Sequence, residues 1–281
     1  MTARLLEGRP VAEAVWHDVE QRAAAFASAT SRVPSLALVS GADASAAAYA
    51  RQIERQFTRH GLGVVKAAFE PGRFVASVRA LGAEPGVDGI LLLTPLPEGV
   101  DARDAALAIR PHKDVDGQHP QNLGQLAQRR PALAPATALG GLRLLQHYGI
   151  PLSGTRAVVV GRSAVVGMPL ALLLIDADAT VSVCHSRTTD LARITREADL
   201  LCVAAGRAHL IGAEHVRPGA VVIDFGTNPT ADGGTLGDVQ TDAVREIAGA
   251  ITPVPGGTGP TTVAVLAQQT LRAAEMHRHA G

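Results

Sequence analysis

Short aliphatic runs recur along the chain, each the length of a strand, and several are followed by stretches with helical spacing of apolar residues. The runs at 35–40, 89–94, 157–160 and 220–224 lack the alternation of a half-exposed strand, so they read as strands buried on both faces. Such strands separated by helices make βαβ units and a parallel sheet. The pattern predicts a helix from about Pro10, tolerated in a first turn, to Phe26. A strand over 35–40, a helix over 44–60 closed by Gly61, a strand over 64–69, a helix over 75–81 and a strand over 89–94 follow. Beyond the proline- and alanine-rich stretch 131–138, a helix near 139–148 leads into a second set. That set has a strand at 157–160, a helix from Gly167, strands at 180–184, 200–204 and 220–224, and a last helix over 262–277. The expected fold class is α/β, with two α/β domains, the second a Rossmann-type doubly wound parallel sheet. The first domain is placed at 1–136, completed by the C-terminal helix 262–281, and the second at 137–261; a length of 281 residues suits two domains.

Charge and cysteine usage exclude several function classes. Lys plus Arg and Asp plus Glu each number 26, a formal net charge of zero, so nothing draws the chain to nucleic acid or an anionic membrane. No apolar run reaches the roughly 18–20 residues that span a bilayer, and the residues from Met1 to Glu7 lack a signal-peptide core. Cys184 and Cys202 lie far apart without metal-ligand spacing, which predicts no metal site, no disulfide framework and a reducing compartment. The expectation is a soluble, cytoplasmic protein with no nucleic-acid and no membrane partner.

The segment Gly161-Arg162-Ser163-Ala164-Val165-Val166-Gly167-Met168-Pro169 joins a buried strand to a helix. Gly161 allows a tight turn, Gly167 allows close helix packing, and the helix N-terminus offers N–H groups to a phosphate, as a dinucleotide site requires. Ser163 stands at the second glycine position, and the same loop would also serve an ordinary β–α turn. An NAD site carries a carboxylate about 20 residues further on; here the next strand ends in His185-Ser186-Arg187-Thr188. Arg162, Ser186 and Arg187 offer donors suited to a 2′-phosphate, which favours NADP, the alternative being solvated surface arginines.

With these features the chain resembles the methylenetetrahydrofolate dehydrogenase/cyclohydrolase (FolD-like) family. Four stretches carry the likeness: Thr94-Pro95-Leu96-Pro97, Lys113-Asp114-Val115-Asp116-Gly117, the loop 161–169, and Ile251-Thr252-Pro253-Val254-Pro255-Gly256-Gly257-Thr258-Gly259-Pro260. The resemblance implies tetrahydrofolate one-carbon derivatives as substrates, NADP as cofactor and a homodimer. It gives Asp116 the task of holding the pterin ring and Tyr49 a place lining the folate pocket, both counted as catalytic. Pro255, Gly256, Gly257, Thr258 and Gly259 would close over substrate. Gly161, Arg162, Ser163, Ser186, Arg187 and Thr227 would contact the cofactor.

The departures from that family concern proton transfer. The family's lysine, four residues after the tyrosine, falls here on Ile53, and its glutamine before the leucine-proline turn falls on Leu93. Ala46 stands where a serine is expected, with Ser45 adjacent, and Thr137-Ala138 replaces a threonine-proline pair. Isoleucine and leucine move no protons, and the guanidinium groups of Arg51 and Arg55 are poor bases. The only lysines are Lys66 and Lys113. Hydride transfer asks mainly for orientation, since the cofactor carries the chemistry, whereas hydrolysis of the methenyl cation needs a proton carrier. The resulting expectation is an NADP-dependent oxidation of 5,10-methylenetetrahydrofolate to 5,10-methenyltetrahydrofolate with cyclohydrolase activity weak or lost. The alternatives are a fully bifunctional enzyme, an oxidoreductase for another pterin or imine, and an inactive folate- or nucleotide-binding paralogue.

Overall fold

The computed structural model describes residues 2–41, 43–230 and 232–280. In chain order the strands are β1 (Arg4–Leu5), β2 (Ser35–Ser40), β3 (Gly63–Ala68), β4 (Gly89–Leu92), β5 (Arg156–Val160), β6 (Thr180–Cys184), β7 (Leu200–Val203), β8 (Val221–Asp224), β9 (Asn228–Pro229), β10 (Thr235–Leu236) and β11 (Ala250–Ile251). The helices are α1 (Gly8–Thr30), α2 (Ala44–Arg59), α3 (Phe74–Ala83), α4 (Ala102–Ala108), α5 (Pro120–Ala127), α6 (Ala136–His147), α7 (Gly167–Asp176), α8 (Leu191–Thr195), α9 (Thr241–Arg245) and α10 (Thr258–Ala280). The fold class is the expected α/β, in two compact units. Among the described residues no helix is long and apolar enough to cross a membrane.

One unit comprises Glu13–Ala136 and Val263–Gly281. Its sheet has the order β3-β2-β4, with both pairings parallel. Leu36, Ala37, Leu38 and Val39 of the central strand are all buried, which is why β2 reads as an unbroken aliphatic run. On one side Ala37 and Val39 pack with Ile90, Leu92, Phe74 and Val78, anchoring α3 to the sheet.

The other unit comprises Met1–Ala12 and Thr137–Thr262. Its sheet runs β1-β11-β8-β7-β5-β6, parallel throughout. The chain moves outward from β5 to β6, then returns to β7 on the opposite side of β5. That reversal is the topological switch point, where open α/β sheets bind ligands beyond the carboxyl ends of their strands.

Residues 2–12, which the expected division placed in the first domain, group here with the larger sheet. Arg4 and Leu5 pair with Ala250 and Ile251, and Leu6 N–H donates to Ile251 O at 2.9 Å, so the chain's start completes the larger sheet. Strand 89–94 ends at Leu92, two residues early, because Pro95 has no N–H to continue a ladder. The last helix begins at Thr258 rather than 262: Pro260 fits its first turn, and the Thr261 and Thr262 hydroxyls donate to Thr258 O at 2.7 and 3.1 Å.

Candidate active site

In the smaller-sheet unit, the Asp43 carboxylate accepts the N–H of Ala46 at 2.9 Å at the start of α2. Ala46, Ala50, Ile53 and Phe57 then form a buried stripe at helical spacing, with Tyr49 at its edge, 39% exposed. Ile53 has no accessible surface and Leu93 retains 3%. The two positions at which the resemblance expects lysine and glutamine are therefore built into the apolar core.

Asp116 lies on a turn with its own scaffold. Gly117 takes a φ of +60°, and a Cβ there would come within 2.5 Å of the Ala134 backbone. Asp114 ties the turn down, accepting N–H groups of Gln118 at 3.1 Å and His119 at 2.7 Å and the Asn122 amide at 2.8 Å. From α10, the buried Gln269 amide donates to Val115 O and Ala134 O at 2.6 and 2.7 Å. Asp116 itself accepts Ala136 N–H at 3.1 Å on Oδ1 and the Gln118 amide at 2.7 Å on Oδ2. Burial pushes its carboxyl up to about 6 despite these bonds. Burial of the hydroxyl end, with the nearby charge of Asp116 adding to it, pushes Tyr49 up to about 12. At neutral pH this corner presents a phenol donor beside a carboxylate acceptor. Gln118 was not singled out in the sequence, although it directly follows the aspartate-glycine turn.

Both lysines are engaged elsewhere. Lys66 Nζ pairs with Glu54 at 2.9 Å on the surface. Lys113 is buried and donates to Glu84 O at 2.7 Å; burial, together with the charge of Arg110, lowers its pKa.

In the larger-sheet unit, Gly161 follows β5 and Ala204 follows β7, the two strands that flank the switch point. Gly161 has φ +129°, and a Cβ there would lie 2.1 Å from Ala204 O; a Cβ on Gly167 would lie 2.2 Å from Gly161 O. The backbone thus closes where only glycine fits, the cradle a dinucleotide phosphate requires. Ser163 Oγ accepts the N–H groups of Val166 and Gly167 at 3.2 and 3.3 Å, so two amides expected to face phosphate are already capped. After β6, His185 Nδ1 accepts Arg187 N–H at 3.2 Å and Thr188 Oγ1 accepts His185 N–H at 2.9 Å. This tight turn displays Ser186 and Arg187 to solvent, and Arg162, Ser163 and Thr227 are likewise exposed. Arginines without a carboxylate at this strand end fit a phosphorylated ribose.

Pro255, Gly256, Gly257, Thr258 and Gly259 also belong to this unit, whereas Tyr49 and Asp116 belong to the other. Gly8 N–H donates to Gly256 O at 2.8 Å, and a Cβ on Gly8 would lie 1.8 Å from Gly257 O, so the loop packs directly against the start of α1.

Residues 6–116 match the family model for the catalytic domain of tetrahydrofolate dehydrogenase/cyclohydrolase, and residues 135–278 match the model for its NAD(P)-binding domain. The chain belongs to this family. It is 48% identical over 278 residues to the bifunctional protein FolD of Chloroflexus aggregans, covering 97% of this chain and 98% of that one. It is 50% identical over 278 residues to the bifunctional protein FolD of a Parafrankia species, covering 96% and 99%. Among solved structures it is similar to the bifunctional FolD of Campylobacter jejuni, with a TM-score of 0.94 at 33% identity, covering 98% of this chain and 99% of that one. It is also similar to the Trypanosoma brucei methylenetetrahydrofolate dehydrogenase-cyclohydrolase complexed with NADP cofactor and inhibitor, with a TM-score of 0.93 at 33% identity and 99% of each chain covered.

Proposed function

We propose that this family member oxidises 5,10-methylenetetrahydrofolate to 5,10-methenyltetrahydrofolate with NADP, and that hydrolysis of the methenyl product is its weak step. The observation that carries the second half is Ile53, without accessible surface on the buried stripe of α2. Asp116 would accept the paired N–H donors of the pterin's amino-pyrimidine edge, and Tyr49 would pack its ring on the substrate. NADP, when bound, takes the hydride. Gly161, Arg162, Ser163, Ser186, Arg187 and Thr227 would hold it, with the arginines on its 2′-phosphate. Pro255, Gly256, Gly257, Thr258 and Gly259 would close over the substrate. Opening of the methenyl ring needs a group that takes a proton from water and returns one to a folate nitrogen. Ile53 and Leu93 are buried and both lysines bond elsewhere, which supports a reading in which no lysine serves that step.

A second reading is full bifunctionality, and the relatives support it better: the two curated ones above and the Campylobacter jejuni structure are all named bifunctional. Asp116 supplies a carrier for it, since a carboxyl near 6 exchanges protons at neutral pH. The test follows NADPH and methenyltetrahydrofolate together by absorbance, with NAD as control cofactor. Equal rise of both products, with a persistent methenyl species, supports the first reading. NADPH formed while methenyltetrahydrofolate disappears faster than it hydrolyses unaided establishes the second. The homodimer belongs to the proposal as well; light scattering of the eluting protein should give twice the chain mass.

A further inference from the structure

Two buried carboxylates at the rim of the larger sheet have no part in that reaction scheme. Asp224 ends β8, Asp238 follows β10, and neither has accessible surface. Asp238 Oδ2 accepts the N–H groups of Ala205 and Gly206 at 2.6 and 2.8 Å; its Oδ1 accepts Arg207 N–H at 2.8 Å and the Asn228 amide at 2.9 Å. Asp224 Oδ1 accepts the N–H groups of Gly226 and Asp238 at 2.7 and 3.1 Å, and Oδ2 that of Val239 at 2.9 Å. The Asp224 backbone joins the same net: its N–H donates to Thr252 Oγ1 at 2.8 Å, and its carbonyl accepts Thr258 Oγ1 at 3.3 Å. Neighbouring glycines make room for both side chains. A Cβ on Gly237 would lie 2.0 Å from Asp224 Oδ2, and one on Gly226 would lie 2.6 Å from Asp238 Oδ1.

Both carboxylates satisfy N–H groups that an apolar side chain would leave without partners, which in itself serves stability. What the pair achieves beyond that is convergence. Residues 205–207 directly follow Ala204, the residue against which Gly161 closes at the switch point. Gly226 and Asn228 bracket Thr227. Asp238 grips both segments at once, and Asp224 holds Asp238 from below while bonding to both flanks of the proline-glycine loop. We infer that Asp238, backed by Asp224, is a positioning residue for NADP, fixing the segments 205–207 and 226–228 as a rim set before the cofactor arrives. A rim already ordered spares the binding step the entropy of ordering it. The inference rests on the reading that NADP binds at this rim.

Asp238→Asn keeps the volume but turns an N–H toward donors. The dissociation constant for NADP, measured by calorimetry on the full chain, should rise roughly tenfold or more, the scale expected when loops shift by about 1 Å. The KM for 5,10-methylenetetrahydrofolate at saturating NADP should stay within about threefold, since the groups that bond to Asp238 (Ala205, Gly206, Arg207, Asn228 and Asp224) are of its own unit. An unchanged NADP constant overturns the inference, as does an equal rise in both constants, the mark of a general loss of structure. If Asp238→Asn does not fold, Asn228→Ala removes one of the four donors; a rise of about threefold in the NADP constant supports the inference and no change overturns it. Wild-type protein that fails to bind NADP would instead overturn the functional reading.

Discussion

The Gln118 amide donates to Asp116 Oδ2 at 2.7 Å, two residues along the same turn. The bond favours the ionised carboxylate, whereas burial favours the neutral acid and wins, leaving Asp116 at about 6. In the proposed role Asp116 binds the substrate as the carboxylate, so kcat/KM for the folate should be full well above pH 6 and fall as pH drops through that value. Gln118→Leu removes a bond that lowers the pKa, so the acid limb should move to higher pH. A pH profile of kcat/KM for the two proteins checks this; an unmoved limb assigns the titration to another group.

On the proposed reading, two changes should supply an amine proton carrier. Ile53→Lys with Leu93→Gln should shorten the lifetime of methenyltetrahydrofolate during turnover, while the NADPH rate changes little. The same change puts an ammonium group on the buried stripe of α2, so Ile53→Lys alone should lower the thermal midpoint by several degrees. Single-turnover product analysis and a melting curve test the two halves separately.

The turn after β6 should set cofactor choice. Arg187→Ala removes one exposed cation and should raise KM for NADP about tenfold, the scale of one charge-assisted hydrogen bond, with KM for NAD unchanged. Ser186→Asp places a carboxylate where NAD sites carry one and should narrow the preference further. Parallel kinetics with both cofactors give the ratio; equal losses for NADP and NAD would separate this turn from the 2′-phosphate.

In the smaller-sheet unit Arg32 grips both oxygens of the fully buried Asp88, at 2.7 and 2.8 Å. Burial works to raise that carboxyl, yet the bonds from Arg32 and the Ser35 N–H, with His277 Nδ1 3.7 Å away, hold it below its ordinary value of 3.8. A depressed pKa contributes stability that is present above the ordinary value and is lost as pH falls through the lower native one. Arg32→Ala should cost about 3 kcal/mol near pH 7 by taking the two-point arginine partner from a buried carboxylate. The deficit should shrink toward pH 4, where the stranded carboxyl takes up a proton. Urea denaturation at both pH values checks the sign.

Much of the scaffold was legible because parallel strands buried on both faces must be aliphatic throughout, as at Leu36–Val39 within β2 and Val158–Val160 within β5. The Gly161 loop was legible for a similar reason: a backbone carbonyl 2.1 Å from where a Cβ would stand leaves room for no side chain, so the residue type records the contact. Tyr49 and Asp116 could be named from the family resemblance, but their placement together, and Gln118 on the carboxylate, follow from how α2 and the 114–118 turn pack.

By itself the sequence determined the α/β class, most strand and helix positions, the glycines of the nucleotide loop and the absence of a lysine at position 53. Burial pattern and steric demand are local, and each residue carries them in its own chemistry. Only the tertiary structure decided that Leu5 pairs with Ile251, that Lys113 is tied to Glu84 O, and that Asp238 grips Ala205, Gly206, Arg207 and Asn228 together. A hydrogen bond between distant segments leaves no periodicity in the chain, and an aspartate reads the same whether it ends a solvent-exposed turn or gathers buried N–H groups. The partner is chosen when the chain closes on itself and every buried polar group must find one.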